Sequence, residues 1–165
     1  MRGRALLLLA TLLSTGVSAA TVRNGASLSV DGTTYVLWGI EAPALAQTCA
    51  RDWPAGQEAA RALEDLIRDK DVVCDLRDKD RAGRQTALCR ADGVDLAEAM
   101  VKSGMAWAKL GVTRGYIQQE ARAAAGYLGV HGRRCQQPEA WRAKHASPEF
   151  QRDESGASGA TNETD

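Results

Sequence analysis

This sequence of 165 residues has few histidines and phenylalanines and no formal net charge. It holds two histidines, one phenylalanine, and 21 basic against 21 acidic residues. A balanced charge argues against a strongly basic nucleic-acid-binding protein, although it is compatible with a local basic cleft. No two cysteines have C-x-x-C spacing and the only histidines are His131 and His145, so a zinc site is disfavoured. The length suits a single domain with one sizeable core.

Apolar runs of membrane-spanning length are absent as well. The run 5–13 is too short to serve as a stable anchor. Arg2 and Arg4 precede it and small residues follow it at 17–20, which is the layout of a secretory signal peptide. We therefore expect residues 1–20 to be removed, and a soluble mature product, with a net charge near −2, to be secreted or periplasmic.

The four cysteines would meet an oxidising compartment after export, where disulfides form. They are Cys49, Cys74, Cys89 and Cys135. Segments 72–76 and 85–89 are typical of two strands, and a hairpin folded about residues 81 and 82 places Cys74 opposite Cys89. Opposed residues have Cβ atoms about 4.5–5.5 Å apart, which is close to disulfide geometry. Cys49 and Cys135 would then join a loop to the C-terminal segment, although sequence alone permits three pairings or free thiols.

Periodicity and turn signals predict the remaining elements. They are a hairpin over 28–38 around Asp31-Gly32, a helix over 55–68, a helix over 95–103 and a helix over 114–128. We expect the last helix to bury an apolar stripe made of Ile117, Ala121, Ala124, Ala125 and Leu128. This order predicts an α+β domain, a small barrel with helices packed on it, over residues 21–142. Residues 143–165 are polar and acidic, and we expect a disordered tail.

Several segments in this order resemble the thermonuclease family, that is, staphylococcal-nuclease-like domains. YVLWGIEAP at 35–43 is similar to the family's R-L-x-G-I-D-A-P-E strand and loop, and DRAGR at 80–84 is similar to its D-x-Y-G-R turn. Further similarity lies at 91–96, 101–106, Tyr116 and 120–122. The resemblance runs from about residue 22 to 141, and it implies a five-stranded OB-fold β-barrel with three packed helices.

The resemblance also implies a site, in which Ca²⁺ and two arginines hold a nucleic-acid phosphate while water attacks it. Fixed cations of this kind stabilise the negative charge of the transition state. The two metal-binding aspartates correspond to Ala26 and Glu41, and the arginines to Val36 and Arg84. The glutamate implicated in water activation corresponds to Ala44.

So many changes at one site favour an exported, noncatalytic binding or structural module. We expect this module to be a monomer that has no cofactor and no membrane span. Its partner is unknown. The alternative is a weak Ca²⁺-dependent nuclease that uses Arg84 and Glu41, with Glu41 as its one weak metal ligand. For Arg84, a residual phosphate contact and an ion pair with Asp80 or Glu41 both remain open. For Glu41, a salt bridge or an exposed carboxylate is preferred over a cation ligand.

Overall fold

The computed structural model describes residues 19–145. The predicted leader, apart from its last two residues, and the predicted tail beyond residue 145 therefore lie outside the described residues. Between residues 19 and 145, no helix is both long enough and apolar enough to cross a membrane.

The described part of the chain begins with four strands and ends with three helices, with strands and helices mixed between them. The strands are β1 Ala20–Asn24, β2 Ser27–Val30, β3 Thr33–Leu37, β4 Ile40–Glu41, β5 Val72–Lys79, β6 Gln85–Ala91, β7 Val94–Asp95 and β8 Trp107–Ala108. The helices are α1 Ala55–Ile67, α2 Leu96–Lys102, α3 Ile117–Ala125, α4 Gly129–Gly132 and α5 Pro138–His145, with a 3₁₀ turn at Ala50–Asp52.

The main sheet is curled and has the strand order β1-β2-β3-β6-β5, with β7 added beside β6. Its pairings are antiparallel except for β3 with β6, which are parallel. Strands β4 and β8 form a separate antiparallel pair. This six-stranded curled sheet with helices packed on it has the α+β, OB-fold architecture that the resemblance implies.

The β5–β6 hairpin has the predicted register. Cys74 lies opposite Cys89 and the two form a disulfide, while Cys49 pairs with Cys135. The register shifts between Leu76 and Asp78, so a β-bulge bends the strand near the turn. Both predicted disulfides are thus confirmed.

Helices α1 and α2 bury the faces that their periodicity predicts. Leu63 and Ile67 of α1 and Leu96 and Met100 of α2 lie in one hydrophobic core with the inner face of the barrel. Helix α2 begins at Asp95, whose carboxylate accepts hydrogen bonds from the backbone N–H groups of Ala97 and Glu98. An aspartate at this position satisfies donors that the first helical turn leaves without partners.

The prediction for α3 is wrong in its orientation. The stripe that was expected to be buried is exposed, with Ile117 39% and Leu128 44% accessible. The inward face carries Ala123 together with two polar side chains: the Gln119 amide donates to Glu98 Oε1 at 3.0 Å, and Glu120 Oε2 accepts from the Ala108 N–H at 3.2 Å. Hydrogen bonds across the helix interface therefore decide which side of α3 faces α2.

Candidate functional site

The positions that correspond to the family's first aspartate and first arginine lie side by side, Ala26 in the turn just before β2 and Val36 on β3. The carbonyl of Ala26 accepts a hydrogen bond of 2.8 Å from the N–H of Leu37, next to Val36. The Ala26 methyl packs against the hydrophobic core, and Val36 is half-buried. Neither side chain offers an oxygen or a charge, so this part of the sheet can hold neither a cation nor a phosphate through side chains.

The strand register extends this surface across the sheet. Val36 lies opposite Ser27 on one side and Thr86 on the other, and Thr86 lies opposite Asp78. Arg84 precedes Thr86 by two residues, just before β6 begins. The counterpart of the first arginine thus lies on β3, and Arg84 immediately precedes the neighbouring strand β6.

Arg84 sits in a turn that Asp80 organises. One Asp80 oxygen accepts the N–H groups of Ala82 and Arg84 at 3.0 and 2.9 Å, and the other accepts Arg84 Nε at 2.6 Å. Gly83 has a φ of +79°, a backbone conformation that glycine adopts without strain. The Arg84 side chain is 65% exposed, and among residues 19–145 nothing bonds to its two Nη nitrogens.

This turn also sets the ionisation of its aspartate. Burial by itself would raise the pKa of Asp80, but the hydrogen bonds and the positive charge from Arg84 outweigh it. The pKa of Asp80 therefore lies below its ordinary value of 3.8. At neutral pH the turn holds an ion pair whose guanidinium keeps its outer edge in solvent.

Glu41 is engaged elsewhere. Strand β4 places it opposite Trp107, and its carboxylate forms an ion pair with Nη2 of Arg142, on α5. The Glu41 side chain is 21% exposed and that of Arg142 43%. Among the described residues no contact joins Glu41 to Arg84, so each of the two candidate side chains has its own partner.

The turn before Glu41 is tightly packed. Gly39 has a φ of +80°, and a Cβ atom there would lie 2.5 Å from Thr113 Cγ2 and 3.0 Å from the Tyr116 ring. The Tyr116 hydroxyl donates to Asp95 at 2.9 Å. Burial, followed by the charge of Asp95, raises the pKa of Tyr116. These contacts fix the segment around residues 113–116 against the turn, and they account for the raised pKa without a catalytic role.

Position 44 carries no acid–base group. Ala44 is 6% exposed, and its N–H donates to Oε1 of Gln47 at 3.2 Å. Gln47 itself is 1% exposed and donates to the carbonyl of Gln136 at 2.9 Å. The buried side-chain amide of Gln47 therefore joins this loop to the C-terminal segment through a hydrogen bond.

The oxygens present do not suit Ca²⁺, which takes six to eight oxygen ligands with carboxylates among them. Glu41 is the one carboxylate at the corresponding positions, and a guanidinium already neutralises it. Between residues 19 and 145, no group of three or more histidine, cysteine, aspartate or glutamate side chains is arranged to hold a metal.

Sequence reasoning missed Arg142 and the packing of α5. Arg142 lies 101 residues from Glu41, so no local pattern joins the two. A weak signal for α5 is present in the sequence, since Pro138 followed by Glu139 is typical of a helix start. That signal predicts the helix but not the contact of Arg142 with Glu41.

Comparisons with known proteins agree with this architecture. The family model described as "Staphylococcal nuclease homologue" matches residues 34–125, which is more than half of the chain. A probable staphylococcal-like nuclease of Oryza sativa subsp. japonica is 38% identical over 71 residues, which cover 43% of this chain and 20% of the rice protein. The chain thus matches only about a fifth of that relative's length. This chain belongs to the staphylococcal nuclease, or thermonuclease, family.

Proposed function

We propose that this protein is an exported, noncatalytic member of its family that uses the OB-fold as a binding or structural module. The observation that carries the proposal is the state of Glu41, whose carboxylate is bound by Arg142. Ala26, Val36 and Ala44 stand where the family has a carboxylate, a cation and a second carboxylate.

The expected losses of catalytic rate favour an inactive protein over a weakly active one. Removing one preorganised charge-stabilising group commonly lowers the rate by about 10²–10³. The losses are not additive, but a metal ligand, a cation and a base are all missing together. Of the positions that correspond to the family's site, Arg84 alone carries a positive group, and a single exposed guanidinium binds a phosphate without activating water.

A cleavage assay tests the proposal. The mature chain would be incubated with end-labelled single-stranded DNA and Ca²⁺, then with EDTA, beside an active thermonuclease as positive control. We expect no chelator-sensitive cleavage. Cleavage that EDTA abolishes, and that Arg84→Ala but not Arg81→Ala removes, would contradict the proposal. It would instead support the second candidate, a weak Ca²⁺-dependent nuclease that uses Glu41 and Arg84.

The ligand class that the surface supports best is a phosphodiester chain held weakly, because Arg84 keeps both Nη nitrogens available. Fluorescence anisotropy with labelled single-stranded DNA would then show weak binding that weakens in Arg84→Ala. The matched variant is Arg81→Ala, which changes an exposed arginine of the same turn. Equal binding by the two variants would assign the contact to another surface.

Export is part of the proposal. Two disulfides suit an oxidising compartment, and the leader pattern precedes the first described strand. N-terminal sequencing of the product from the periplasm or medium should show a chain that begins after Ala19 or Ala20. A product that retains Met1 and stays in the cytoplasm would refute export.

A further inference from the structure

Two segments far apart in the sequence are fastened together beside Glu41. Residues 41–56, here named the cleft loop, run from the end of β4 to the start of α1, and residues 133–145, here named the strap, include α5. The disulfide between Cys49 and Cys135 joins them across a sequence separation of 86 residues. The strap buries Pro138 and Trp141, the latter 7% exposed.

Four further contacts hold the strap on the cleft loop. The N–H of Ala50 donates to the carbonyl of Arg133 at 3.1 Å. The guanidinium of Arg133 lies 5.6 Å from the centre of the Trp53 ring. The last two are the Gln47–Gln136 hydrogen bond of 2.9 Å and the Arg142–Glu41 ion pair. The cleft loop therefore owes much of its order to the strap.

The cleft loop has little regular structure of its own. Between β4 and α1 it contains one 3₁₀ turn and an isolated bridge of Cys49 with Trp53. Arg51 and Asp52 have φ values of +62° and +55°, in the left-handed region that such residues rarely adopt. A segment with few backbone bonds and strained residues opens more easily than a sheet once its external contacts are lost.

The two disulfides differ in access. Cys49 and Cys135 are both partly exposed, whereas in the other pair Cys74 is partly exposed and Cys89 is fully buried between strands. Thiol–disulfide exchange requires a thiolate to approach a sulfur along an open path, so access decides which bond is attacked first. Of the two bonds, Cys49–Cys135 is the one in which both cysteines are partly exposed.

We propose that the strap is a redox-controlled closure, in which the Cys49–Cys135 disulfide holds the cleft loop and Glu41 in place and its reduction releases them. A dithiol reductant supplies two electrons. One thiolate attacks a protein sulfur to give a mixed disulfide, and the second thiol closes the reductant into its own disulfide. Both cysteine sulfurs then take protons and separate. This inference goes beyond the proposed function and does not depend on it.

The first test follows the order of reduction. The folded mature protein would be titrated with dithiothreitol, alkylated, digested and analysed by mass spectrometry. We expect Cys49 and Cys135 to be alkylated at lower reductant concentrations than Cys74 and Cys89. Reduction of Cys74–Cys89 first, or of both bonds together, would overturn the proposal.

The second test follows the release itself by hydrogen exchange at that intermediate point. The amides of Gln47, Cys49, Ala50 and Gly56 are hydrogen-bonded within this region and serve as reporters. We expect their exchange to rise by about tenfold or more while amides of β5 and β6 keep their protection. Unchanged exchange in the cleft loop, or a simultaneous rise throughout the sheet, would overturn the proposal.

A pair of variants separates the ion pair from the disulfide. Arg142→Gln removes the contact with Glu41 and leaves the disulfide intact, and Lys144→Gln changes an exposed cation of the same helix. We expect Arg142→Gln alone to lower the dithiothreitol concentration needed to reduce Cys49–Cys135, by about twofold or more. Identical titrations for the two variants would show that Arg142 takes no part in the closure.

Discussion

The turn that holds Arg84 and the loop that holds Glu41 each pair a charged side chain, but the partners come from different distances along the sequence. Arg84 takes its partner, Asp80, from within the same five-residue turn, and its guanidinium stays 65% exposed. Glu41 takes its partner from a helix 101 residues away and is 21% exposed. A locally built ion pair leaves a charge available to a ligand, whereas one built by tertiary packing removes a charge from the site.

The largest expected effect concerns the packing of the cleft loop. Gln47→Leu leaves the N–H of Ala44 and the carbonyl of Gln136 without their buried partner. It should lower the free energy of unfolding by about 2–3 kcal/mol in urea denaturation. Gln57→Leu, which changes an exposed glutamine on α1, should cost far less. Equal losses would mean that the buried hydrogen bonds of Gln47 do not stabilise the cleft loop.

The next effect concerns the Arg84 turn. Asp80→Ala removes the acceptor of two backbone N–H groups and of the guanidinium, so it should cost about 1–2 kcal/mol by the same measurement. Asp80→Asn keeps a side-chain oxygen and should cost less than the alanine variant. An equal loss for the two variants would show that charge, rather than hydrogen bonding, organises the turn.

A double-mutant cycle with Glu41→Gln and Arg142→Gln measures the long-range ion pair. Both side chains are partly exposed, so we expect a coupling energy of about 0.5–1 kcal/mol. The energy should fall in high salt, because the partly exposed pair is screened. A coupling energy of zero would remove the argument that this pair keeps Glu41 engaged.

The smallest effect is a shifted titration. Because the pKa of Asp80 is lowered in the folded state, its stabilising contribution is present above the pKa of the unfolded chain. It is lost as the pH falls through the folded-state pKa. The NMR signals of the Ala82 and Arg84 amides should therefore titrate with a midpoint below 3.8. A midpoint at or above that value would contradict the described turn.

Sequence patterns within short segments predicted much of the fold. The Asp31-Gly32 hairpin, α1, α2 and the opposition of Cys74 and Cys89 all follow from spacing within short segments, and the structure contains them. The wrong face of α3 has a physical reason. Gln119 and Glu120 find hydrogen-bond partners in the interior, so polar side chains face inward and the alanine-rich stripe faces solvent.

In the candidate site, too, local contacts could be predicted from the sequence and long-range contacts could not. The sequence shows which residues stand at positions 26, 36 and 44, and it offers Asp80 as a partner for Arg84 because the two lie four residues apart. It cannot show that Arg142 reaches Glu41, since that contact joins segments 101 residues apart. The chemical state of a site residue was thus predictable only where its partner is local.

The most direct test of the central claim is calorimetric titration of the mature chain with Ca²⁺. The account predicts no saturable heat of binding, because Glu41 is neutralised by Arg142 and no other carboxylate occupies the corresponding positions. Saturable binding that disappears in Glu41→Gln and persists in Glu139→Gln, an exposed glutamate of α5, would contradict it.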